Sequence, residues 1–309
     1  MKSWKRLDSL ALAMDNRTAL REAIATLRAA QVPSHTLAAE LLLMHALGRD
    51  RAWIYTHPED ALDPATLDRY LALVERRAAG EPTQYLIGKQ EFWGLEFEVT
   101  PAVLIPRPET EHVVEVALER LGPRGIKINM ATGAPSPSLN VADIGTGSGC
   151  LAVALACELP HAEVCAIDIS SPALAVAARN AVRHGVSDRV RVVQSDLLAS
   201  LHGGEASFDL IVSNPPYVAR NDADQLPPDV RNHEPESALF GGPTGVEMYA
   251  RLIDQAAALL KRRGILVLEL GYNSLAHVRG LLYGQPAWVN VSVTNDLAGI
   301  PRVIAAERA

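Results

Sequence analysis

The residues best suited to chemistry are Asn214-Pro215-Pro216-Tyr217, which directly follow the apolar run 208–213. Proline fixes its own φ and restricts the residue before it, so the backbone carbonyls of this segment are held in place. Those carbonyls and the Asn214 side-chain oxygen can accept both hydrogens of a planar NH2 group, while the Tyr217 ring packs on its face. The motif suits methylation of an amide or base nitrogen, whose delocalised lone pair is a poor nucleophile. The alternative is a Pro-rich turn without a catalytic role.

A glycine turn lies earlier in the chain, where the strand-like segment 139–144 runs into Gly145-Thr146-Gly147-Ser148-Gly149 and then a predicted helix. Its spacing is G-x-G-x-G, whereas a dinucleotide-binding fingerprint requires G-x-G-x-x-G, and Cys150 stands where the last glycine is needed. The tighter turn is typical of enzymes that place the methionine part of S-adenosylmethionine above it. A tight turn with no ligand is the alternative.

A second predicted strand, from Glu163 to Asp168, ends in an acid. A carboxylate at the tip of that strand can accept hydrogen bonds from both hydroxyls of a ribose. An acid that only starts the next helix is the alternative. The glycine turn, the acid and the Asn-Pro-Pro-Tyr motif follow one another, each at the end of a strand. Together they favour a methyltransferase that uses S-adenosylmethionine.

Charge and composition narrow the class of partner. The 309 residues carry 29 basic and 36 acidic side chains, a net charge of −7, with the arginines interleaved among acids. Proteins that hold duplex nucleic acid usually have a basic surplus or stripe, so DNA is disfavoured as a partner. No apolar run approaches the ~18 residues that span a bilayer, so no membrane partner is predicted.

The N-terminal residues and the cysteines favour a cytoplasmic protein. Lys2, Lys5 and Arg6 precede a short apolar stretch that faintly resembles a signal peptide, but Asp8 interrupts it. The 3 cysteines form no C-x-x-C pair, and we expect buried thiols in a reducing compartment. The 9 histidines are scattered, so no metal site is predicted.

The remaining pattern predicts an α/β fold with two parts. Residues 16 to about 80 predict amphipathic helices, with Ser34 and Asp63 as N-caps and Gly48 and Gly80 at helix ends. Residues 90–93 and 95–99 predict a hairpin, and 122–138 an exposed, mobile loop.

From residue 139 onward strands alternate with helices, which predicts a mostly parallel sheet covered on both faces. Ligands of such sheets lie at the carboxyl ends of the strands, where Gly145–Gly149, Asp168, Asp196 and Asn214 all fall. Strands are expected near 139–144, 163–168, 189–194, 208–213, 264–270, 288–294 and 301–306. Helices are expected near 148–159, 172–184, 245–262 and 274–283.

With these residues in hand, the chain resembles the protein-(glutamine-N5) methyltransferases, and among them the release factor glutamine methyltransferases. The resemblance covers about residues 17–309. It rests on Glu91-Phe92-Trp93-Gly94, Leu104-Ile105-Pro106-Arg107-Pro108-Glu109-Thr110-Glu111, Asp143 to Gly149, Ser213 to Tyr217, Val230-Arg231, Glu234-Pro235, Ala238-Leu239, Gly241-Gly242, Gly245, Asp296-Leu297-Ala298-Gly299 and Arg302-Val303.

The resemblance implies an N-terminal helical bundle joined by a hairpin to a seven-stranded, Rossmann-like S-adenosylmethionine methyltransferase domain. We therefore expect a helical substrate-recognition domain over 1–83, a β-hairpin linker over 84–104 and the methyltransferase domain over 105–309.

The resemblance also implies the site. Gly145, Thr146, Gly147, Ser148 and Gly149 would contact the methionine moiety, Asp168 the ribose, and Asp196 and Leu197 the adenine. Asn214 would lie beside both donor and substrate. Asn214, Pro215, Pro216 and Tyr217 would bind the substrate glutamine, with Asn214, Pro215 and Tyr217 catalytic. S-adenosyl-L-methionine would be the cofactor and S-adenosyl-L-homocysteine the product.

The roles of Arg107 and Glu111 stay open between two interpretations. They either order the wall on the substrate side or form an ion pair at the start of a helix.

The implied substrate is the glutamine of the Gly-Gly-Gln motif in class I peptide chain release factors. A related enzyme that methylates a glutamine of a large-subunit ribosomal protein lacks the Pro-Glu-Thr-Glu run and differs in the Asp-Leu-Ala-Gly segment, which makes it the second choice.

A DNA adenine-N6 methyltransferase would use an Asn-Pro-Pro-Tyr motif in the same way, because it holds the planar NH2 group of a flipped base, but no basic target-recognition domain is visible. A nicotinamide-dependent oxidoreductase is disfavoured by the glycine spacing. A non-catalytic binding module is disfavoured by the intact acceptor motif.

Overall fold

The computed structural model describes residues 14–122, 138–201 and 207–309. The chain divides into two compact units, Met1–Gly88 and Lys89–Ala309. Almost all of the predicted 122–138 loop lies outside the described residues, as do the first thirteen residues of the chain.

The first unit consists of helices. They are α1 (Asn16–Ala29), α2 (His35–Leu47), α3 (Arg51–Thr56), α4 (Pro64–Ala78) and α5 (Thr83–Ile87). Their apolar faces meet in one core, in which Leu27, Leu42 and Tyr70 are fully buried. The Tyr70 hydroxyl donates to the Ala39 carbonyl oxygen at 3.1 Å, so its polar end is satisfied inside that core.

The two predicted N-caps of this unit behave differently. Asp63 caps α4, because its carboxylate accepts from the Thr66 backbone N–H at 3.0 Å. Ser34 precedes α2 as predicted, but its side chain makes no capping bond to any described residue, because its backbone is left-handed, with φ of 50°. Gly48 ends α2 with φ of 64°, a conformation that costs glycine little.

The second unit begins with the predicted hairpin, β1 (Lys89–Phe92) and β2 (Leu95–Glu98). The predicted linker starts at residue 84, but residues 83–87 form α5 instead. The Phe92 and Phe97 rings meet edge to face at 6.1 Å and are buried in the core of the second unit. The hairpin is therefore part of that unit's packing.

The centre of the second unit is a sheet in the order β10-β11-β9-β6-β3-β4-β5. Among the described residues, β11 runs antiparallel to both of its neighbours, β9 and the edge strand β10, and all other pairings in this sheet are parallel. The strands from β3 onward are β3 (Leu139–Ile144), β4 (Ala162–Asp168), β5 (Val190–Gln194), β6 (Phe208–Ser213), β7 (Val218–Ala219), β8 (Phe240–Gly242), β9 (Leu260–Glu269), β10 (Trp288–Asn295) and β11 (Pro301–Arg308). The predicted seven-stranded α/β fold is confirmed.

Helices cover both faces of this sheet, because the central strands carry buried apolar side chains on both faces. The helices that pack on the sheet are α6 (Glu111–Leu121), α7 (Cys150–Glu158), α8 (Ser171–Arg183), α11 (Glu247–Leu259) and α12 (Leu275–Tyr283). The short helices α9 (Pro228–His233) and α10 (Glu236–Leu239) lie between β7 and β8 along the chain. One apolar cluster joins α6, α7 and α8 to strand residues such as Val141 and Leu210. A second joins α11 and α12 to their neighbours Ala142 and Ile211.

Two details differ from the predictions. β9 starts at Leu260 rather than near 264, because Phe208 pairs with Leu260 before a bulge shifts the register. The prediction of three buried thiols is wrong for Cys157, which is exposed in the last turn of α7, past the buried residues 151–156. Cys165 is buried, and burial raises the pKa of the half-buried Cys150 thiol to about 12.

Asn180 in α8 links three parts of the second unit. It is fully buried, and its Oδ1 accepts from the Glu98 backbone N–H at 2.8 Å. Its Nδ2 donates to the Glu98 carbonyl oxygen at 3.0 Å and to the Ser148 carbonyl oxygen at 2.8 Å. This one amide therefore ties the glycine turn to the hairpin.

We expect Asn180→Ala to lower the free energy of unfolding by about 2–4 kcal/mol, because each buried backbone group left without a partner costs about 1–3 kcal/mol. Urea unfolding measures the change. The matched control is Asn232→Ala at an exposed position, with an expected change within about 0.5 kcal/mol. Equal stability of the two variants would contradict this account of Asn180.

Candidate active site

A cavity of about 300 Å³ lies at the carboxyl ends of β3, β4 and β6. Among the residues predicted for the site, its wall contains Gly145, Gly147, Asp168, Asp196, Leu197, Asn214, Pro215 and Pro216. Donor and acceptor residues predicted from separate motifs thus share one cavity.

The glycine turn needs its glycines for backbone reasons. Gly145, Gly147 and Gly149 have φ of 70°, 53° and 82°, a region that other residues enter at a cost. A Cβ on Gly149 would also lie 3.0 Å from the Ala177 Cβ. Gly145 and Gly147 line the cavity, whereas Thr146 and Ser148 are buried. The turn therefore presents glycine backbone, without side chains, to the cavity.

Asp143, at the end of β3, holds this turn from below. Its Oδ2 accepts from the Thr146 hydroxyl at 2.6 Å and from the Ala152 backbone N–H at 3.1 Å. Burial raises the pKa of Asp143 to about 7, against the lowering effect of these hydrogen bonds. Sequence reasoning assigned this residue no role. The available signal was an acid inside an otherwise apolar strand.

Asp168, at the end of β4, braces the same turn from the side. Its Oδ2 accepts from the Gly147 backbone N–H at 2.9 Å, and its Oδ1 accepts from the Ser170 backbone N–H at 2.9 Å. Each carboxylate oxygen has a second lone pair. Asp168 can therefore hold the turn and still accept from a ligand in the cavity.

The far wall combines a charged pair with apolar side chains. Asp196 Oδ2 accepts from Arg251 Nη2 at 2.6 Å, and both residues line the cavity. Leu197 is buried, while Ile169 keeps 57% of its surface exposed beside Asp168. Sequence reasoning missed Arg251 and Ile169, as well as the lining residues Val103, Leu104, Phe240 and Met248. Arg251 lies on α11, whose pattern of apolar residues predicts an amphipathic helix but gives no sign of a binding residue.

Asn214 follows β6 directly and is oriented by neighbours distant in sequence. Its Nδ2 donates to Thr110 Oγ1 at 3.0 Å, and Thr110 Oγ1 in turn donates to Glu269 Oε2 at 2.6 Å. With the NH2 group so engaged, the amide oxygen of Asn214 is left as an acceptor for a ligand.

Glycines surround the rest of the Asn214–Tyr217 segment, called the acceptor motif below because we expect it to hold the nitrogen that accepts the methyl group. A Cβ on Gly241 would overlap the Pro216 carbonyl oxygen, and one on Gly245 the Tyr217 carbonyl oxygen. A Cβ on Gly271 would overlap the Tyr217 ring. Strand β7, just after the motif, also pairs in parallel with β8, which contains Gly241. These close approaches fix the backbone path of the motif.

Tyr217 differs in position from its neighbours in the motif. Pro215 and Pro216 line the cavity, whereas the Tyr217 ring is partly buried against the apolar cluster of α11 and α12. Burial raises the pKa of Tyr217 to about 12, and the nearby Glu269 adds to the shift. The hydroxyl is therefore neutral at ordinary pH.

The suggested ion pair between Arg107 and Glu111 is wrong. Arg107 Nη2 donates instead to Glu234 Oε1 at 2.5 Å, and the Ile105 backbone N–H donates to the other Glu234 oxygen at 3.3 Å. Glu111 accepts from the Trp93 backbone N–H at 2.7 Å and so holds the hairpin. Local sequence proximity suggested a pairing that the tertiary fold replaces. Glu234 thus links two segments that contribute residues to the cavity wall, 102–104 and 235–238.

Within residues 14–122, 138–201 and 207–309, no three His, Cys, Asp or Glu side chains are grouped as a metal site requires. None of the helices in those ranges is both long and apolar enough to cross a membrane.

Comparison with known structures supports the fold alone. The hMettl16 catalytic domain, solved in complex with the MAT2A 3'UTR hairpin 6, matches with a TM-score of 0.53 at 20% identity. The match covers 76% of this chain and 81% of that one. At this identity the likeness concerns the methyltransferase architecture and not the substrate.

Sequence comparison is more specific. The PrmC N-terminal domain family matches residues 18–88, and the methyltransferase small domain family matches residues 128–226. The release factor glutamine methyltransferase of Koribacter versatilis is 43% identical over 295 residues, 96% of this chain and 99% of that protein. The enzyme of the same name from Moorella thermoacetica is 44% identical over 295 residues, with the same coverage. The chain therefore belongs to the release factor glutamine methyltransferase family.

Proposed function

We propose that this chain transfers a methyl group from S-adenosyl-L-methionine to the side-chain N5 of the glutamine in the Gly-Gly-Gln motif of class I peptide chain release factors. The observation that carries the proposal is the shared cavity. The oxygen of Asn214 and the backbone of the glycine turn meet in it, so an acceptor amide and a methyl donor would lie side by side.

The residues present fit the donor. Exposed backbone of Gly145 and Gly147 suits the methionine part, because a bare backbone allows close approach. The remaining lone pairs of Asp168 suit the ribose hydroxyls. Ile169 and Leu197 offer apolar surface for adenine, and Asp196, fixed by its ion pair, can accept from the adenine amino group. Thr146, Ser148 and Gly149 contribute by shaping the turn.

The acceptor amide would be activated by position and by hydrogen bonding. The Asn214 side-chain oxygen and the Pro215 carbonyl oxygen would accept hydrogen bonds from the two N–H groups of the substrate glutamine. These bonds would favour a pyramidal nitrogen as it attacks the methyl carbon. The nitrogen lone pair would form the new N–C bond while the S–C bond of the donor broke and left its electron pair on sulfur, so that S-adenosyl-L-homocysteine would be the second product. The alkylated amide nitrogen is strongly acidic and loses one proton to solvent. Alignment of the two reactants provides much of the rate.

Pro216 and Tyr217 would act mainly through shape. Pro216 lines the cavity wall, and the neutral Tyr217 ring supports the plane of the acceptor loop. The Arg107–Glu234 pair would hold the substrate side of the wall. No residue with a basic side chain is required, because the proton leaves only after nitrogen is alkylated.

The substrate choice rests on the family and on loop geometry. Relatives carrying the name release factor glutamine methyltransferase align over 88–96% of this chain. Glycine neighbours let a loop bend so that its glutamine reaches deep into a narrow cavity. The N-terminal helical unit would bind the folded factor at a distance from the chemistry. A net charge of −7 argues against a DNA substrate.

The direct test is incubation with labelled S-adenosylmethionine and whole release factor, followed by mass spectrometry. We expect one added methyl on the Gly-Gly-Gln glutamine, and much slower reaction with a short Gly-Gly-Gln peptide. Large-subunit ribosomal protein and duplex DNA are the controls. Preferential methylation of the ribosomal protein would overturn the choice of substrate, and methylated adenine would overturn the reaction class.

Close packing around the acceptor motif yields a second prediction. Gly241→Ala should reduce turnover more than about tenfold and lower stability, because its Cβ would overlap the Pro216 carbonyl oxygen and displace the loop. The matched control is Gly280→Ala in α12, where no heavy atom of the described residues lies within 4 Å of an added Cβ. That control should keep full turnover and gain up to about 1 kcal/mol of stability. Kinetics and thermal unfolding measure both variants, and equal behaviour would refute the packing account.

A further inference from the structure

We propose that Thr110 and Glu269 are positioning residues for methyl transfer, because they dictate which way the Asn214 amide faces. The inference rests on the proposed function, in which the Asn214 oxygen accepts the substrate's N–H. It assigns a role to two residues from separate parts of the chain, one preceding α6 and one ending β9.

The three side chains form a continuous chain of hydrogen bonds. Asn214 Nδ2 lies 3.0 Å from Thr110 Oγ1, and Thr110 Oγ1 lies 2.6 Å from Glu269 Oε2. Thr110 is 2% and Glu269 3% exposed, so water competes little for either group. Hydrogen bonds to a charged group in such surroundings are short and strong.

The chemistry of these groups fixes which one donates and which one accepts in each hydrogen bond. An ionised carboxylate only accepts, so the single hydrogen of the Thr110 hydroxyl must point at Glu269. The same hydroxyl then has only lone pairs to offer Asn214. The NH2 group of Asn214 must therefore face Thr110, and its oxygen is directed away from Thr110. The opposite orientation would set two acceptors against each other.

Thr110 is not used as an ordinary helix cap. Threonine before a helix commonly accepts from a backbone N–H of the first turn. Thr110 precedes α6 but makes no such bond within the described residues, and its hydroxyl bonds to the two side chains instead. Burying the Glu269 carboxyl also costs free energy that an apolar residue would avoid. Both observations fit a role for these two residues in the hydrogen-bond chain itself.

The Asn214–Thr110–Glu269 hydrogen bonds should also make turnover depend on pH. Burial raises the pKa of Glu269 to about 7, and Glu109 adds to this, while Thr110, Arg302 and Arg107 oppose it. Other titratable groups near it are Tyr217, Tyr249 and Cys150. A protonated Glu269 can donate to Thr110, which frees the hydroxyl hydrogen and removes the constraint on Asn214. Turnover should therefore fall as pH falls through about 7.

The raised pKa of Glu269 also makes the stability of the folded state depend on pH in a defined direction. Because the folded-state pKa of Glu269 lies above the ordinary value of 4.5, protonation favours the folded state. That contribution is complete below the ordinary value and is lost as pH rises through about 7. Glu269→Gln should remove this part of the pH dependence of unfolding, a readout independent of activity.

The experiment uses the full chain with Thr110→Val, Thr110→Ser and Glu269→Gln. Thr110→Val keeps the shape without the hydroxyl and should lower kcat about tenfold or more, with the calorimetric Kd for S-adenosylmethionine within about twofold. Thr110→Ser restores the hydroxyl and should recover kcat to within about threefold. Thr294→Val, at a half-buried threonine of β10 that does not line the cavity, is the matched control and should leave turnover unchanged. Glu269→Gln should abolish the fall in kcat near pH 7.

A double-mutant cycle separates positioning from a structural role. If Thr110 acts through Asn214, Thr110→Val should cause no further loss in an Asn214→Ala background. Additive losses, unchanged kcat in Thr110→Val, or an unchanged pH profile in Glu269→Gln would each overturn the proposal. Should Thr110→Val fail to fold, Thr110→Ala and Glu269→Gln carry the same test. Failure of the wild-type chain to methylate the factor would instead overturn the proposed function.

Discussion

The register of the parallel strands is the constraint on which the site depends. Ile144 pairs with Ile167 and with Ser213, and Ser213 pairs with Leu268, so β3, β4, β6 and β9 end at one level. The next residue on each strand, Gly145, Asp168, Asn214 and Glu269, therefore starts at the same edge of the sheet. A shift of one residue in any pairing would turn the apolar side chains of that strand to the wrong face. The core that stabilises the fold thus also aligns the residues that we propose to bind the methyl donor and the methyl acceptor.

Buried polar side chains convert that alignment into fixed geometry. Asp143 and Asp168 hold the glycine turn, and Asn180 ties it to the hairpin. Glu269 and Glu234 hold the acceptor side, through Thr110 and through Arg107. Of these groups, Asp143, Asn180, Glu234 and Glu269 are buried, which costs free energy, and each has at least one specific hydrogen-bond partner. These specific hydrogen bonds define where the side chains lie, and the proposed methyl transfer depends on such alignment of the two reactants.

The sequence allowed prediction of the parts that are local. The glycine turn, Asp168 and Asn214 each follow a recognisable strand, and the parallel sheet brings strand ends together, so their shared cavity was predictable. Thr110 and Glu269 are separated by 159 positions, and no local pattern links them. The Arg107–Glu111 pairing was wrong because Glu234, distant in sequence, is the better-placed partner. Glycines 241, 245 and 271 matter through close approach to the acceptor motif, which only tertiary structure reveals.

The central claim is that Asn214 stabilises the transition state of methyl transfer more than it contributes to the affinity for S-adenosylmethionine. The most direct measurement compares single-turnover methyl transfer with the calorimetric affinity for S-adenosylmethionine in Asn214→Ala. We expect the rate to fall about a hundredfold or more, as for loss of one group that stabilises a transition state, while the donor Kd changes by less than about threefold. Parallel losses of rate and donor affinity would contradict the account and make Asn214 a ligand of the donor.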